Sequence, residues 1–119
     1  MPIVWQIAND EAVAFEQVTG QIAWRGRPCG VSAKVVIGAP GSDDAIVLLS
    51  AQDGLRETLL RYRADGSVVW RAELPTHWSA DYYVDVDLVE DVIHAGSWSG
   101  FDVVIDPATG RILSKQFTK

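Results

Sequence analysis

The chain has few of the residues from which disulfide scaffolds and metal sites are built. Its 119 residues include one cysteine, Cys29, and two histidines, His77 and His94. A lone cysteine gives no disulfide framework and no sign of an oxidising compartment. A transition-metal site needs several such ligands at short spacing, and these three residues are distant in sequence. We therefore predict no metal and no cofactor, and we expect His94 to be a hydrogen-bonded structural residue on a strand.

Basic residues are outnumbered by acidic ones. The 10 lysines and arginines face 16 aspartates and glutamates, which gives a formal net charge of −6. Nucleic acids and anionic membrane surfaces both attract basic proteins, so neither partner is expected. An acidic protein is suited to a basic protein partner, although the same charge also serves simply to keep a small protein in solution.

Long apolar runs are missing too. The longest, residues 45–49, has the length of a strand and is much shorter than a membrane-spanning helix. The N-terminal residues lack the basic start and the apolar run of a signal peptide. These absences predict a soluble cytoplasmic protein.

Sequence motifs for catalysis are also lacking. No G-x-S-x-G sequence is present, and residues 38–41 are not followed by the Lys and Ser or Thr of a phosphate-binding loop. Cys29, between Pro28 and Gly30, is expected to be a small buried thiol. The acidic residues 85–91 lack the glycine and the final glutamate of a calcium loop. Two carboxylates that meet only in space are still compatible with the sequence, but an enzyme is the least favoured class and we predict none.

What the sequence does contain is a repeat of short strands. Residues 57–74 read as a strand, a tight turn at Asp65-Gly66 and a second strand, and residues 13–25 and 103–115 have the same pattern. The turn glycines at positions 20, 66 and 110 are 46 and 44 residues apart. This period is close to the roughly 40–50 residues of a propeller blade. No window has the apolar spacing of a helix.

The pattern predicts an all-β protein with a single domain over residues 1–119. Within it, residues 1–26 form a partial blade, and residues 31–74 and 78–119 form two four-stranded antiparallel blades of about 45 residues. Trp24 and Trp70 occupy the same place in the repeat, where the last unit has Ser114. The predicted strands cover residues 3–8, 12–17, 21–25, 31–37, 45–51, 57–63, 67–74, 81–88, 92–95, 101–105 and 112–117.

Residues 65–70 (DGSVVW) and 106–113 (DPATGRIL) resemble the blade signatures of quinoprotein-like β-propellers. In that family the motif closes the hairpin between the third and fourth strands of a blade. The resemblance implies an incomplete β-propeller-like fold, but it does not carry over the quinone cofactor, which needs a whole ring of blades. Since rings usually have about four to eight blades, such a chain is expected to wrap on itself or to assemble with other copies.

One strand of the last unit has a feature that the preceding unit lacks. Because side chains alternate along a strand, residues 81–88 are expected to place three aspartates and a tyrosine on one face. The counterpart, residues 34–37, has no acids, and two nearby loops carry tryptophans suited to an interface with a basic protein. The alternative is a solvated outer face with both tryptophans packed inward. The predicted partner-binding residues are Asp81, Tyr83, Asp85, Asp87, Glu90, Asp91, Trp78 and Trp98.

Small size, acidity and the expected lack of a cofactor are similar to the profile of small acidic bacterial immunity proteins, including those paired with contact-dependent growth inhibition toxins. This is a similarity of profile that transfers no residue. It implies a non-catalytic immunity protein that neutralises a basic toxin, most plausibly a nuclease, through an acidic face. The alternative is a homo-oligomeric scaffold or assembly module whose copies complete a propeller.

Overall fold

The fold consists of three antiparallel sheets in which neighbouring strands follow one another in the chain. In the computed structural model, which describes residues 2–118, the first sheet has three strands and the other two have four each. The all-β prediction is confirmed, and the only helical segment among the described residues is a 3-10 turn over Pro28–Gly30. The strands are β1 (Ile3–Ala8), β2 (Glu11–Glu16) and β3 (Ile22–Gly26) in the first sheet, β4 (Ala33–Gly38), β5 (Ala45–Leu49), β6 (Leu59–Tyr62) and β7 (Val68–Arg71) in the second, and β8 (Tyr83–Val89), β9 (Val92–Ser97), β10 (Phe101–Ile105) and β11 (Ile112–Phe117) in the third.

The second sheet is packed on both faces. All five residues of β5 are buried, as expected for a strand with a sheet on each side. One apolar cluster joins the first sheet to the second, and another joins the second to the third. The buried members of the first cluster are Trp5, Ala12, Ala14, Ala33, Ala45, Val47, Leu49, Leu60 and Tyr62. Those of the second are Ala39, Ile46, Leu48, Leu59, Trp70, Ala72, Tyr83, Ile93, Ala95, Val103 and Ile105.

The same tryptophan–glycine contact links each sheet to the next. The Trp24 indole of β3 covers Gly66, in the turn between β6 and β7, and the Trp70 indole of β7 covers Gly110, in the turn between β10 and β11. A Cβ on Gly110 would lie 2.6 Å from Trp70 Cδ2. Only glycine lets the indole approach the backbone so closely. The repeat found in the sequence is therefore a repeat of these inter-sheet contacts.

A β-bulge interrupts the alternation of side chains in the first strands of the two larger sheets. In β8 the register shifts between Tyr83 and Asp85, so Val84 is an extra residue. The register of β4 shifts in the same way between Ala33 and Val35. Because a bulge puts two residues opposite one, it changes which side chains share a face.

Cys29, which lies in the connection between the first and second sheets, differs from the expectation. The thiol is exposed instead of buried. Cys29 has a positive φ of 55° within the 3-10 turn, and only the neighbouring Pro28 is buried there.

Candidate functional site: the acidic end face

The outer face of the third sheet is polar and largely open to solvent. It is turned away from the second sheet, because the opposite face places Ile93, Val103 and Ile105 in the core. A shallow depression of about 760 Å³ lies over it. We call this surface the acidic end face. Its residues form two paired rows across the strands, Asp85–Gly96–Asp102–Gln116 and Asp87–His94–Val104–Ser114.

The matching face of the second sheet is apolar. The equivalent rows there are Val35–Leu48–Leu59 and Ile37–Ile46–Arg61–Trp70. Most of these side chains pack against the third sheet, and they include the tryptophan that covers a glycine. The third sheet thus has aspartates in place of Val35, Ile37 and Leu59. A face that is used elsewhere for packing carries three carboxylates here.

The Asp85 carboxylate is held in position by the neighbouring strand. Its Oδ1 accepts a hydrogen bond of 2.7 Å from the backbone N–H of Gly96. A Cβ on Gly96 would lie 2.8 Å from the same oxygen, so any larger residue would require the carboxylate to shift. The hydrogen bond therefore holds this exposed carboxylate against β9.

The carboxylates of the acidic end face form no ion pair with any residue between 2 and 118. Asp85, Asp87 and Asp102 are all exposed. Lys115 also lines the depression, but its Nζ donates to the Pro75 carbonyl at 2.9 Å. The face therefore presents a concentrated negative charge to solvent.

Two of the predicted site residues are not on this face. Asp81 and Tyr83 are 0% and 1% exposed, so the prediction that they share a face with Asp85 and Asp87 is wrong. The reason is the bulge at Val84, which shifts the alternation so that Tyr83 points into the core while Asp85 points outward.

Asp81 has a structural role next to the acidic end face. Its carboxylate accepts hydrogen bonds from the Thr76 hydroxyl at 2.6 Å, the Ser99 hydroxyl at 2.9 Å and the Ser99 N–H at 3.0 Å. It also accepts from the N–H of Tyr82 at 3.0 Å. A buried charge with this many donors is well compensated. Asp81 therefore ties the segment that precedes β8 to the turn between β9 and β10.

Tyr83 is held in the core through its hydroxyl group. The hydroxyl donates to the Glu73 carbonyl at 2.6 Å, while the carbonyl of Tyr83 accepts from the Thr58 hydroxyl at 2.8 Å. Burial, followed by the charges of Asp81 and Glu73, raises the pKa of Tyr83 well above its ordinary value. The phenol is a structural group that joins the second and third sheets.

The two predicted tryptophans lie in loops beside the third sheet and are each 50% exposed. The Trp98 ring is stacked on Tyr82, with ring centroids 6.0 Å apart and planes 10° from parallel. Since Trp98 follows directly after β9, this stacked pair lies at one end of the third sheet. Neither ring is packed inward, so both are accessible for contact.

The remaining predicted residues, Glu90 and Asp91, are exposed in the turn between β8 and β9. Both have positive φ, 50° and 63°, as a type I′ hairpin turn requires. Val89 lies opposite Val92 across this turn, and Asp87 lies opposite His94 farther along. The turn thus sets the register of the acidic end face at one end.

The sequence reasoning missed several residues of the face. His94, for which a structural role is expected, is exposed opposite Asp87, and Asp102 joins the face from β10, where no local sequence signal marks it. The two-residue turn at Glu90-Asp91 was the available signal, because it fixes which residues of β8 and β9 are paired. Counting outward from that turn places His94 beside Asp87.

Among residues 2–118, no group of three or more His, Cys, Asp or Glu side chains is arranged to hold a metal ion. The described residues also contain no helix with the length and apolar character needed to cross a membrane.

The sheets and their stacking define the chain as a β-propeller-like protein. It is similar to the computationally designed Ika4 protein (TM-score 0.63, 17% identity, covering 98% of this chain and 67% of Ika4). It is also similar to the designed Ika8 protein, with a TM-score of 0.57 and 15% identity over 96% of this chain and 36% of Ika8. The similarity to BamB from Moraxella catarrhalis has a TM-score of 0.56 and 15% identity over 97% of this chain and 32% of BamB. BamB is a β-propeller and the designed proteins are propeller-like, so the propeller-like fold expected from the blade signatures is confirmed.

The chain belongs to the family described as a domain of unknown function (DUF7957), whose model matches residues 40–117. That range includes the whole third sheet and therefore the acidic end face. No curated protein matches the sequence. The chain spans about a third of the length of Ika8 and of BamB, and at 15–17% identity the three structures show the fold alone.

Proposed function

We propose that this chain is a non-catalytic protein-binding protein that uses the acidic end face to bind a basic partner. The observation that carries the proposal is the replacement of apolar packing residues by aspartates at equivalent places in the repeat. Val35 and Leu59 of the second sheet correspond to Asp85 and Asp102 of the third. An outer face needs some polar residues, but like charges on neighbouring strands repel one another and reduce stability. A partner with the opposite charge offsets that cost.

The loops next to the face supply contacts of a second kind. Trp98 and Trp78 are large, half-exposed aromatic side chains, and Trp98 is pre-positioned by its stacking on Tyr82. Aromatic anchors beside complementary charge are typical of protein interfaces, where the charges speed the encounter and the aromatic groups provide affinity. The combination fits a protein partner better than a small ion.

The partner class that fits best is a basic toxin, in particular a nuclease, which makes the chain an immunity protein of the contact-dependent growth inhibition type. Nucleases are basic because they bind phosphate backbones. A carboxylate-lined face is suited to the cationic groups with which a nuclease binds phosphates. The immunity protein would act in the cytoplasm, where such toxins reach nucleic acid. Asp85, Asp87 and Asp102 would bind those groups by charge-assisted hydrogen bonds.

The alternative of a homo-oligomer that completes a propeller head to tail has less support. In the repeat, a tryptophan on the last strand of a sheet covers a glycine of the next sheet, but β11 has Ser114 at that position. The acidic end face thus lacks both the apolar surface and the tryptophan that join one sheet to the next.

The proposal predicts that a gene beside this one encodes a basic nuclease domain, and the test is protection of cells that express that domain. We expect the wild-type chain to restore growth and to bind the purified domain, and the variant D85N/D87N/D102N to lose both. The variant D10N/D53N/E57Q removes three exposed acids outside the face and is the matched control. Equal protection by both variants, or binding by the wild type that does not weaken as salt rises, would contradict the proposal.

A further inference from the structure

The outer face of the first sheet is different in character from the acidic end face. Val4, Phe15 and Ile22 lie opposite one another across β1, β2 and β3, and Val13 lies opposite Gln6 and Arg25. These side chains point away from the second sheet, because the alternate residues Trp5 and Ala14 belong to the core. Ile22 is 53% exposed. We call this surface the apolar end face; its residues are Val4, Gln6, Val13, Phe15, Ile22 and Arg25.

The apolar end face is built like the interfaces inside the molecule. Counting from the hairpin turns, Val13 corresponds to Leu60 and Val103, while Phe15 corresponds to Tyr62 and Ile105. All four of those counterparts are buried against the preceding sheet. The first sheet therefore keeps packing residues on a face that no other sheet among the described residues covers; of these, Ile22 is exposed, Val4 and Phe15 are half-buried, and Val13 is 9% exposed beneath its neighbours.

The turn of the first sheet shows the same pattern. Gly66 and Gly110 are each covered by a tryptophan of the preceding sheet, whereas a Cβ on Gly20, the equivalent glycine, would meet no atom within 4 Å. The surface beside the apolar end face thus has an open position where the repeat elsewhere holds an aromatic ring.

The chemistry of the two ends decides what can cover this face. The acidic end face of another copy is not suited to cover the apolar end face. Its three aspartates would lose their water against apolar side chains and would gain no cationic partners, which is costly. The apolar end face is complementary to itself. It has apolar residues at its centre, and at its edge Arg25 and Glu11, whose Nε and Oε1 are 2.9 Å apart, supply one charge of each sign. A two-fold axis places the same patch on both sides, and an axis that runs across the patch and beside this ion pair brings the cation of each copy near the anion of the other.

We propose that two copies of the chain associate through their apolar end faces about a two-fold axis. From strand spacing and rise, the patch measures about 14 Å by 20 Å, which is small beside the interfaces of permanent dimers. The dimer is therefore expected to be reversible and to depend on concentration. It would place one acidic end face at each end of a stack of six sheets.

Sedimentation velocity over a concentration series tests this inference. The wild type should pass from monomer to dimer as concentration rises. Ile22→Lys, at a position already half exposed in the monomer, should raise the dissociation constant by about a hundredfold or more, since its charge would be buried without a partner. Val104→Lys puts the same side chain on the acidic end face, where the second sheet has Arg61, and should leave the dimer unchanged. The milder Ile22→Gln should weaken the dimer even if Ile22→Lys fails to fold.

Three results would overturn the proposal. One is a wild type that stays monomeric throughout the series. Another is loss of association in both Ile22→Lys and Val104→Lys, which would indicate head-to-tail contact between unlike ends. The third is association that Val104→Lys removes and the Ile22 variants do not. None of these outcomes depends on the identity of a basic partner, so the dimer and the proposed function are tested separately.

Discussion

The indole of Trp70 lies against the backbone of Gly110, and its Nε1 donates a hydrogen bond of 2.9 Å to the carbonyl of Pro107 in the same turn. A single side chain thus joins the second sheet to the third by packing and by a hydrogen bond at once. Arg61 Nη1 donates to the same carbonyl at 2.7 Å. The turns of the second and third sheets are therefore recognition elements for the sheets before them.

The first prediction concerns these turn glycines. Gly110→Ala should lower the free energy of unfolding by about 2–5 kcal/mol, because it combines an unfavourable positive φ with overpacking against Trp70. Gly20→Ala is the matched control, since its φ of 72° is close to the 75° of Gly110 but its surroundings are open. Gly20→Ala should lower the free energy of unfolding by only about 1 kcal/mol, because it has the unfavourable positive φ but no overpacking. Urea unfolding of both variants gives the comparison, and equal losses would show that the indole contact has no role.

A second prediction separates Asp81 from Asp87. Asp81→Ala leaves the donors on Thr76 and Ser99 without their acceptor in a buried site, so stability should fall by about 3 kcal/mol or more. Asp87→Ala removes an exposed carboxylate and should change stability by less than about 0.5 kcal/mol. Chemical denaturation measures both. In a binding assay the roles are reversed: Asp87→Ala should weaken binding of the basic partner directly, because Asp87 is on the acidic end face and Asp81 is not.

The third prediction is a loss of stability at alkaline pH. The pKa of Tyr83 is raised from 10.0 in the folded state, mainly by burial. The unfolded chain releases the phenol proton near pH 10 and the folded chain keeps it, so the contribution is complete below about pH 10 and is lost as the pH rises further. Tyr83→Phe should flatten this dependence above pH 10, while it costs about 1 kcal/mol at neutral pH through the lost hydrogen bond to Glu73. An unchanged slope in this variant would contradict the assignment.

The fourth prediction uses the turn between β1 and β2. Asn9 and Asp10 have φ of 52° and 64°, so the turn needs two left-handed residues. Asp10→Gly gives the Asn-Gly sequence that a type I′ turn prefers and should raise the free energy of unfolding by about 0.5–1 kcal/mol. Asp91→Gly should do the same at its φ of 63°. A loss of stability in thermal unfolding would show that the side chain at these positions makes a contribution larger than the backbone strain.

The strand order and the repeat could be predicted because their signals are local. Turn glycines and alternating apolar residues placed every strand to within a few residues, and Trp70, which the repeat aligned with Trp24, is buried. The bulge at Val84 carries no such signal, and missing it misassigned Tyr83 and Asp81. The pairing of Asp102 with Gly96 depends on a second hairpin, so the full acidic end face could only be recognised once both registers were known.

The last prediction tests whether the acidic end face is what ends the stack of sheets. Asp85→Val, Asp102→Leu and Ser114→Trp together copy the residues Val35, Leu59 and Trp70 of the second sheet. This triple variant should associate head to tail, with the new tryptophan covering the open Gly20 of the next copy, and should form rings or longer chains. Ser114→Trp alone is the control and should not associate in this way, because Asp85 and Asp102 still oppose apolar burial. If the triple variant sediments like the wild type, the tryptophan–glycine contact and the apolar rows are not sufficient to join one sheet to another, and the geometry of the missing fourth strand in the first sheet must also matter.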